Sequence, residues 1–306
     1  MIDWHCHILP GIDDGPIDVS ESIVMAARLR EFGYDTVCCT PHCIKGYYDS
    51  SPQQIREATL MLQADLDNAD IDLELWPGME YCLDECFPDY ADDLFPIGET
   101  NLVLCEAPQQ ANPAVVQQGL ELIFARGFRP LIAHPERSEL FRTILLQRAR
   151  SLRKAQVEKS RAEGHMTRIE DEGRAPTNDD ASRSSNPRTF SLWRKVWPFS
   201  SAAKQQLEGP RGFRFGLPED CLYQTNLGSF SGYYGVDVQQ CAYALLKADV
   251  FNALATDLHD SQSASQILDQ EKLLANPLLQ GLSKWCGQSG SARQAKSPGR
   301  QLKLGL

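Results

Sequence analysis

Residues 1–15, MIDWHCHILPGIDDG, read as a strand from Ile2 to His5 that runs into a polar, glycine-rich loop. Side chains of a strand share a face at i and i+2, so His5 and His7, at the strand's end, are placed to meet one cation. Behind the loop a helix is expected from about Ser20 to Phe32, with Asp18 and Glu21 spaced as a capping box and Gly33 as its stop. The same unit recurs. Apolar, β-prone runs stand at 36–40 (TVCCT), 71–76 (IDLELW), 101–105 (NLVLC), 130–133 (PLIA), 221–225 (CLYQT) and 250–255 (VFNALA). Ser51-Pro52 opens a second helix, and 113–126 and 236–248 read as two more. Seven strands alternating with helices argue for a parallel sheet covered by helices, either closed as a barrel or open and doubly wound.

The placement of the chemistry-bearing residues decides for the barrel, in which functional side chains sit at the C-terminal ends of many strands. Five of the six histidines stand at strand ends: His5, His7, His42, His134 and His259. At the same level fall Asp13 and Asp14 in the first loop, Glu80 after WPGM, Glu106 after LVLC and Asp257 two residues before His259. Any one strand-end histidine has an ordinary structural explanation, but this set together forms a rim suited to divalent cations. Nitrogen and oxygen donors favour Mn²⁺, Fe, Zn²⁺ or Mg²⁺ over softer ions. Arg137, in HPER just past His134, offers a planar donor for phosphate oxygens, its ordinary alternative being an ion pair with Glu136 or Glu139. Gly11, Gly15 and Gly46 are candidates for letting backbone approach the site, or plain loop glycines.

Composition bounds the rest. The chain of 306 residues, 42% hydrophobic with a net charge of −11, is long enough for one large core. Residues 147–216 hold 15 lysines and arginines against 8 acids, so the remainder is strongly acidic and repels nucleic acid and phosphate alike. Phosphate chemistry there requires bound cations or local arginines. The ten cysteines are scattered without a CxxC pair and read as reduced, with Cys6 and Cys43 in core roles, and none has arginine six residues on, as a cysteinyl-phosphate mechanism needs. No signal-peptide pattern or long apolar run is present, which leads to an expectation of a cytoplasmic location.

The expected organisation is a discontinuous catalytic domain over 1–153 and 213–286, a basic and largely disordered insertion over 154–212, and a basic tail over 287–306. Inside the insertion lie His165 and FSLWRKVWPF (190–199), whose aromatic and basic residues suit peripheral contact with an anionic membrane or a partner protein, or form merely a sticky linker.

Six motifs in order, MIDWHCHILPGIDDG, TPHCIKGYY, PGMEY, LVLCEAP, IAHPER and ATDLH, resemble the bacterial tyrosine-protein phosphatases of the PHP (polymerase and histidinol phosphatase) superfamily found with capsule and exopolysaccharide genes. The resemblance covers about 1–150 and 219–260. It implies an α/β fold, a distorted TIM-like (β/α)7 barrel, with up to three metals, usually manganese. Carried over, His5, His7, Glu80 and Asp257 would hold one metal, His42, Glu80 and His134 a second, and Asp14, Glu106 and His259 a third. Arg137 matches the family's phosphate-binding arginine, and Arg137 and His42 are the candidate catalytic residues. Ser138, ATDLH and the long basic insertion depart from the family pattern and bear on substrate recognition. The implied activity is dephosphorylation of a phosphotyrosyl protein, a bacterial tyrosine autokinase controlling polysaccharide export. A small-molecule phosphatase acting on histidinol phosphate or a sugar phosphate, and a scaffold of the export machinery, are the alternatives.

Overall fold

The computed structural model describes residues 1–162, 215–268 and 276–282. Its strands are β1 (Ile2–Cys6), β2 (Thr36–Cys39), β3 (His42–Cys43), β4 (Glu74–Pro77), β5 (Glu80–Cys82), β6 (Leu102–Glu106), β7 (Arg129–Ile132), β8 (Leu222–Asn226) and β9 (Ala253–Ala255). The helices are α1 (Val19–Phe32), α2 (Pro52–Asn68), α3 (Pro113–Ala125), α4 (Glu139–Ala162), α5 (Leu227–Ser231), α6 (Val236–Lys247), α7 (Ser261–Leu268) and α8 (Pro277–Leu282), with a 3₁₀ turn at Phe87–Tyr90. The architecture is therefore α/β, and all strand pairings are parallel, in the orders β1-β2-β4 and β3-β5-β6-β7-β8-β9.

The two sheets are one surface interrupted at a single level. Pro41 follows β2 and Pro77 ends β4, and a proline cannot donate to the ladder. Past this break, Gly78 N donates to Cys39 O at 2.9 Å and Glu80 N to Pro41 O at 2.9 Å, so β3 and β5 continue β2 and β4. At the other edge Asp257 N donates to His5 O at 2.8 Å and His7 N to Leu258 O at 2.9 Å, which joins the chain after β9 to the end of β1.

The sheet's two faces bury different material. One apolar cluster holds Trp4, Cys38, Leu104, Leu131, Leu222 and Ala255 and takes no residue from a helix. The other packs Val37, Val103, Ile132 and Leu254 under Leu29, Leu62, Leu120 and Leu245 of the helices. The first is the interior of the curved sheet and the second its outer, helix-covered face. A β-bulge between Asp3 and Cys6 breaks the alternation of β1. Trp4 thus lies in the interior while Cys6 joins the outer cluster, and His5 between them turns inward with His7.

Local chemistry explains the helix ends. Asp18 caps α1 by accepting from Glu21 N, without the reciprocal bond of a capping box, and Gly33 closes it at φ 108. The full box falls on α2, between Ser51 and Gln54. Run 71–76 becomes strand only from Glu74, where Gln63 of α2 accepts from Leu75 N and donates to Leu73 O, tying the edge to the helix. Helix α4 continues through Ala162, into the stretch from 154 onward expected to lack regular structure. Its sequence there, KAQVEKSRA, is built mostly of good helix formers, with Lys154 and Glu158 paired one turn apart. The rest of the 154–212 insertion, with His165 and 190–199, and the 287–306 tail lie outside the described residues. No described helix is long and apolar enough to cross a membrane.

Candidate metal centre

The inward turn of β1 brings two imidazoles together, tilted at 45° to each other. His5 Nε2 and His7 Nε2 are 2.9 Å apart and fully buried. His5 Nδ1 bonds the amide oxygen of Gln224 at 3.1 Å, and His7 Nδ1 bonds the carboxylate of Asp13 at 2.6 Å. Both partners accept, so each Nδ1 carries the hydrogen and each ring, when neutral as a metal ligand is, presents the lone pair of Nε2. Two opposed lone pairs repel unless a cation lies between or beside them.

Carboxylates close round the same point. Glu80, fully buried, lies 3.2 Å from His5 Nε2, 2.9 Å from His42 Nδ1 and 3.1 Å from His134 Nε2. Asp257 Oδ1 lies 3.3 Å from both His5 Nε2 and His7 Nε2. Asp14 stands 3.6 Å from His42 and 3.5 Å from His259, and Glu106 stands 3.6 Å from His42 and 3.9 Å from His134. All nine residues expected to hold metal thus converge at one mouth of the sheet. Their ligand atoms form four compact groups: His5, His7 and Glu80; His5, His134 and Asp257; His42, Glu80 and Glu106; and His7, Asp14, His42 and His259. The grouping differs from the partition that the resemblance implies: Glu106 sits with His42 and Glu80, and Asp14 shares His259 with His42. The reason is positional, since β5 and β6 are paired neighbours while Asp14 arrives on a separate loop.

The site also fits a cation by its unmet bonding. Glu80 Oε2 and His42 Nδ1 are buried 2.9 Å apart yet make no well-aligned hydrogen bond, to each other or to any other group, a strained arrangement that a shared cation relieves. The electrostatics agree. Burial works against charge on Glu80 and Asp257, yet the surrounding histidines, with Arg137 beside Asp257, hold both well below the usual carboxylate range. Burial likewise opposes protonation of His7, but its bonds to Asp13, Asp257 and Glu80 raise it well above an ordinary imidazole. The same negative field that attracts a proton attracts a metal. Glu106 is pushed up to about 8 by burial and by the charge of Glu80. His134 is pulled down to about 4 by burial and by Arg137, which leaves it neutral, as a ligand must be.

Backbone conformation serves the same mouth. His134 and Asp257 hold left-handed φ values of 30 and 56, sparsely populated for residues with a side chain. Gly15 lies so close to the His7 carbonyl that a Cβ there would overlap its oxygen, so the loop carrying Asp13 and Asp14 folds back only with glycine at 15. Gly46 has open space round it, and glycine is favoured there by its left-handed φ of 80, not by close approach to the site. Arg137 pairs with Asp257 Oδ2, and its guanidinium lies 4.4 Å over the Tyr234 ring. The alternative ion pairs with Glu136 and Glu139 are absent among the described residues. Glu136 is instead buried and accepts from Thr225 Oγ1, Asn226 N and Ser229 Oγ. The described cysteines are free, and all but Cys86 are buried.

Sequence reasoning missed Gln224, Asn226 and Tyr234, which touch the centre or its arginine, and gave Asp13 no partner. A polar pair at i and i+2 closing an otherwise apolar strand, CLYQTN, was the available signal.

Comparisons with known proteins converge on one group. A family model described as capsular polysaccharide synthesis, CpsB/CapC, matches residues 1–157. The chain is similar to the tyrosine-protein phosphatase YwqE of Bacillus subtilis (strain 168), 38% identical over 144 residues, which are 46% of this chain and 57% of that protein. It is similar also to the tyrosine-protein phosphatase CpsB of Streptococcus pneumoniae, 30% identical over 139 residues, 45% of this chain and 57% of that protein. The chain spans just over half the length of these relatives. Among solved structures it resembles one from the crystallography of YwqE and CpsB, described there as unique metal-dependent tyrosine phosphatases, with a TM-score of 0.55. That match covers 96% of this chain and 100% of the other at 24% identity, which establishes a shared fold.

Proposed function

This chain belongs to the capsular polysaccharide synthesis family of CpsB and CapC, and from that premise we propose that it is a metal-dependent phosphoester hydrolase acting on phosphotyrosyl protein. One observation carries the reading. Asp257 faces His5 and His7 with one oxygen and Arg137 with the other, so a group suited to phosphate stands against the cluster of candidate metal ligands. The fold resemblance to metal-dependent tyrosine phosphatases supports the same conclusion. Manganese is the proposed metal, a bacterial tyrosine autokinase the proposed substrate and the cytoplasm the proposed location. We read the sheet as a distorted seven-stave barrel of the PHP type, supported by the hydrogen bonds that join the ends of β9 and β1 and carry the ladder across the proline break.

His5, His7, His42, His134 and His259, with Asp14, Glu80, Glu106 and Asp257, would hold the ions. When bound, these would lower the pKa of water towards about 7 and neutralise the charge of a phosphoryl group. Glu80, in reach of four imidazoles, keeps the separate ligand groups at fixed spacing. Asp13 holds His7 by Nδ1 and also accepts from His42 N at 2.9 Å, so one carboxylate orients two ligand-bearing segments. Arg137, clamped by Asp257 and Tyr234, presents its remaining N–H groups to phosphoryl oxygens as charge gathers there. His42 stands at the mouth beside Tyr48, whose ring stacks on it at 5.8 Å, and lines the approach of the leaving group.

The test pairs elemental analysis of purified protein with turnover of a phosphotyrosyl peptide and of histidinol phosphate, each with and without added Mn²⁺. Metal-dependent preference for the peptide supports the reading. Preference for histidinol phosphate moves the substrate to small molecules, and an active protein without divalent ions refutes the mechanism.

A further inference from the structure

Strand β8 supplies none of the candidate metal ligands, yet its last inward-facing side chains are both amides. Leu222, Gln224 and Asn226 alternate onto the interior face, where Leu222 joins the apolar cluster and the other two do not. Burying two amides at zero exposure costs free energy that another leucine would avoid, so their bonds must compensate.

Those bonds form one directed chain. His5 Nδ1 meets Gln224 Oε1 at 3.1 Å, Gln224 Nε2 meets Asn226 Oδ1 at 2.6 Å, and Asn226 Nδ2 meets Asp257 Oδ2 at 2.7 Å. The last member dictates the direction of all the others. An ionised carboxylate only accepts, so Asn226 must turn its NH₂ to Asp257 and its oxygen to Gln224. Gln224 must then donate from its own NH₂, which leaves its oxygen for His5. His5 Nδ1 must therefore carry the hydrogen, and the neutral ring that binds metal presents the lone pair of His5 Nε2 to the centre. Asn226 is in turn fixed from behind, because its backbone N–H donates to the buried Glu136 at 3.1 Å.

We propose that Gln224 and Asn226 are positioning residues that lock His5 Nε2 and Asp257 Oδ1 onto one cation and thereby set its affinity. The inference rests on the metal-dependent reading above but concerns binding, not turnover. It assigns β8 the part that hydrogen-bonding partners behind metal ligands commonly play, whose loss weakens binding by about 10- to 100-fold.

The test uses the full chain and its Gln224→Met, Gln224→Glu and Asn226→Leu variants, stripped of metal and titrated with Mn²⁺ while the free ion is followed by electron paramagnetic resonance. Circular dichroism checks that each is folded. Gln224→Met and Asn226→Leu are expected to weaken one class of site about 10- to 100-fold. Gln224→Glu keeps an acceptor for His5 and is expected to fall between Gln224→Met and the parent; being nearly isosteric, it carries the test if the other variants do not fold. Isotherms within twofold of the parent in every folded variant overturn the relay. A parent that binds Mn²⁺ but leaves phosphotyrosyl peptide intact sinks the proposed function and leaves the relay standing, whereas a parent that binds none sinks both.

Discussion

Arg137→Lys is the substitution that most directly weighs the proposed chemistry. The positive charge survives, so a simple loss of electrostatic attraction is not at issue. What changes is the number of directed donors. Arg137 commits Nη1 to Asp257 and lays its plane over Tyr234 at 4.4 Å, leaving its other N–H groups for phosphoryl oxygens. A lysine ammonium is one compact centre that can satisfy Asp257 or the phosphoryl group but not hold both in the same geometry. Removing a donor aimed at developing negative charge costs about 2.7–4 kcal/mol in the transition state. Retention of the charge trims this to about 2–3 kcal/mol, which at 1.36 kcal/mol per decade is a fall of about 30- to 150-fold in kcat/KM. The assay is initial-rate hydrolysis of a phosphotyrosyl peptide by protein of matched Mn²⁺ content. Because the side chain is about a third exposed, the fold should survive the change. A kcat/KM within threefold of the parent at equal metal loading would show that the arginine does not act on the phosphoryl group.

Chelation should abolish hydrolysis and lower the melting temperature, with Mn²⁺ restoring both, while thiol alkylation of native protein should do neither. Burial pushes the thiols of Cys43, Cys221 and Cys241 up to about 12, so these three carry little reactive thiolate at neutral pH. Rapid inactivation by an alkylating agent would contradict this. Gly15→Ala should destabilise the fold by about 1–3 kcal/mol and weaken Mn²⁺ binding, as read by urea unfolding and metal titration, since the loop must move off the His7 carbonyl. Unchanged values in both would refute the close approach. Burial raises the carboxyl of Asp3 to about 6 despite its bonds to Thr256, against 3.8 when free. Between those values the folded state keeps a proton that the unfolded chain has lost, so stability falls as pH rises from about 4 to 6. At 1.36 kcal/mol per pH unit this amounts to about 3 kcal/mol. Asp3→Asn should remove that part of the slope when urea midpoints of chelated protein are compared across the window; an unchanged slope would place its origin elsewhere.

The histidine and carboxylate rim was legible in the sequence because strand ends are legible: His42, Glu80, Glu106 and His134 stand within three residues of a proline or glycine that ends a short β-prone run, and His5 and Asp257 stand where apolar runs give way to polar loops. Strand bounds drifted where side chains from elsewhere captured the backbone, as Gln63 does at Leu73 and Leu75. The relay of Gln224 and Asn226 was not legible, because a buried amide has meaning only through the partners that three-dimensional neighbours supply.

Sequence by itself determined the alternation of strands and helices, the acidic rim with its imidazoles, and the lack of a cysteine suited to nucleophilic attack on phosphate. It could do so because periodicity, strand termination and residue chemistry are local properties. Tertiary structure alone decided that His5 turns inward, through a bulge that interrupts the pleat between Asp3 and Cys6. It alone decided that Glu106 groups with His42 and Glu80 while Asp14 shares His259 with His42, and that Arg137 answers to Asp257 and not to its neighbouring glutamates. Each of these depends on register and sheet curvature, which are set by packing across the whole chain.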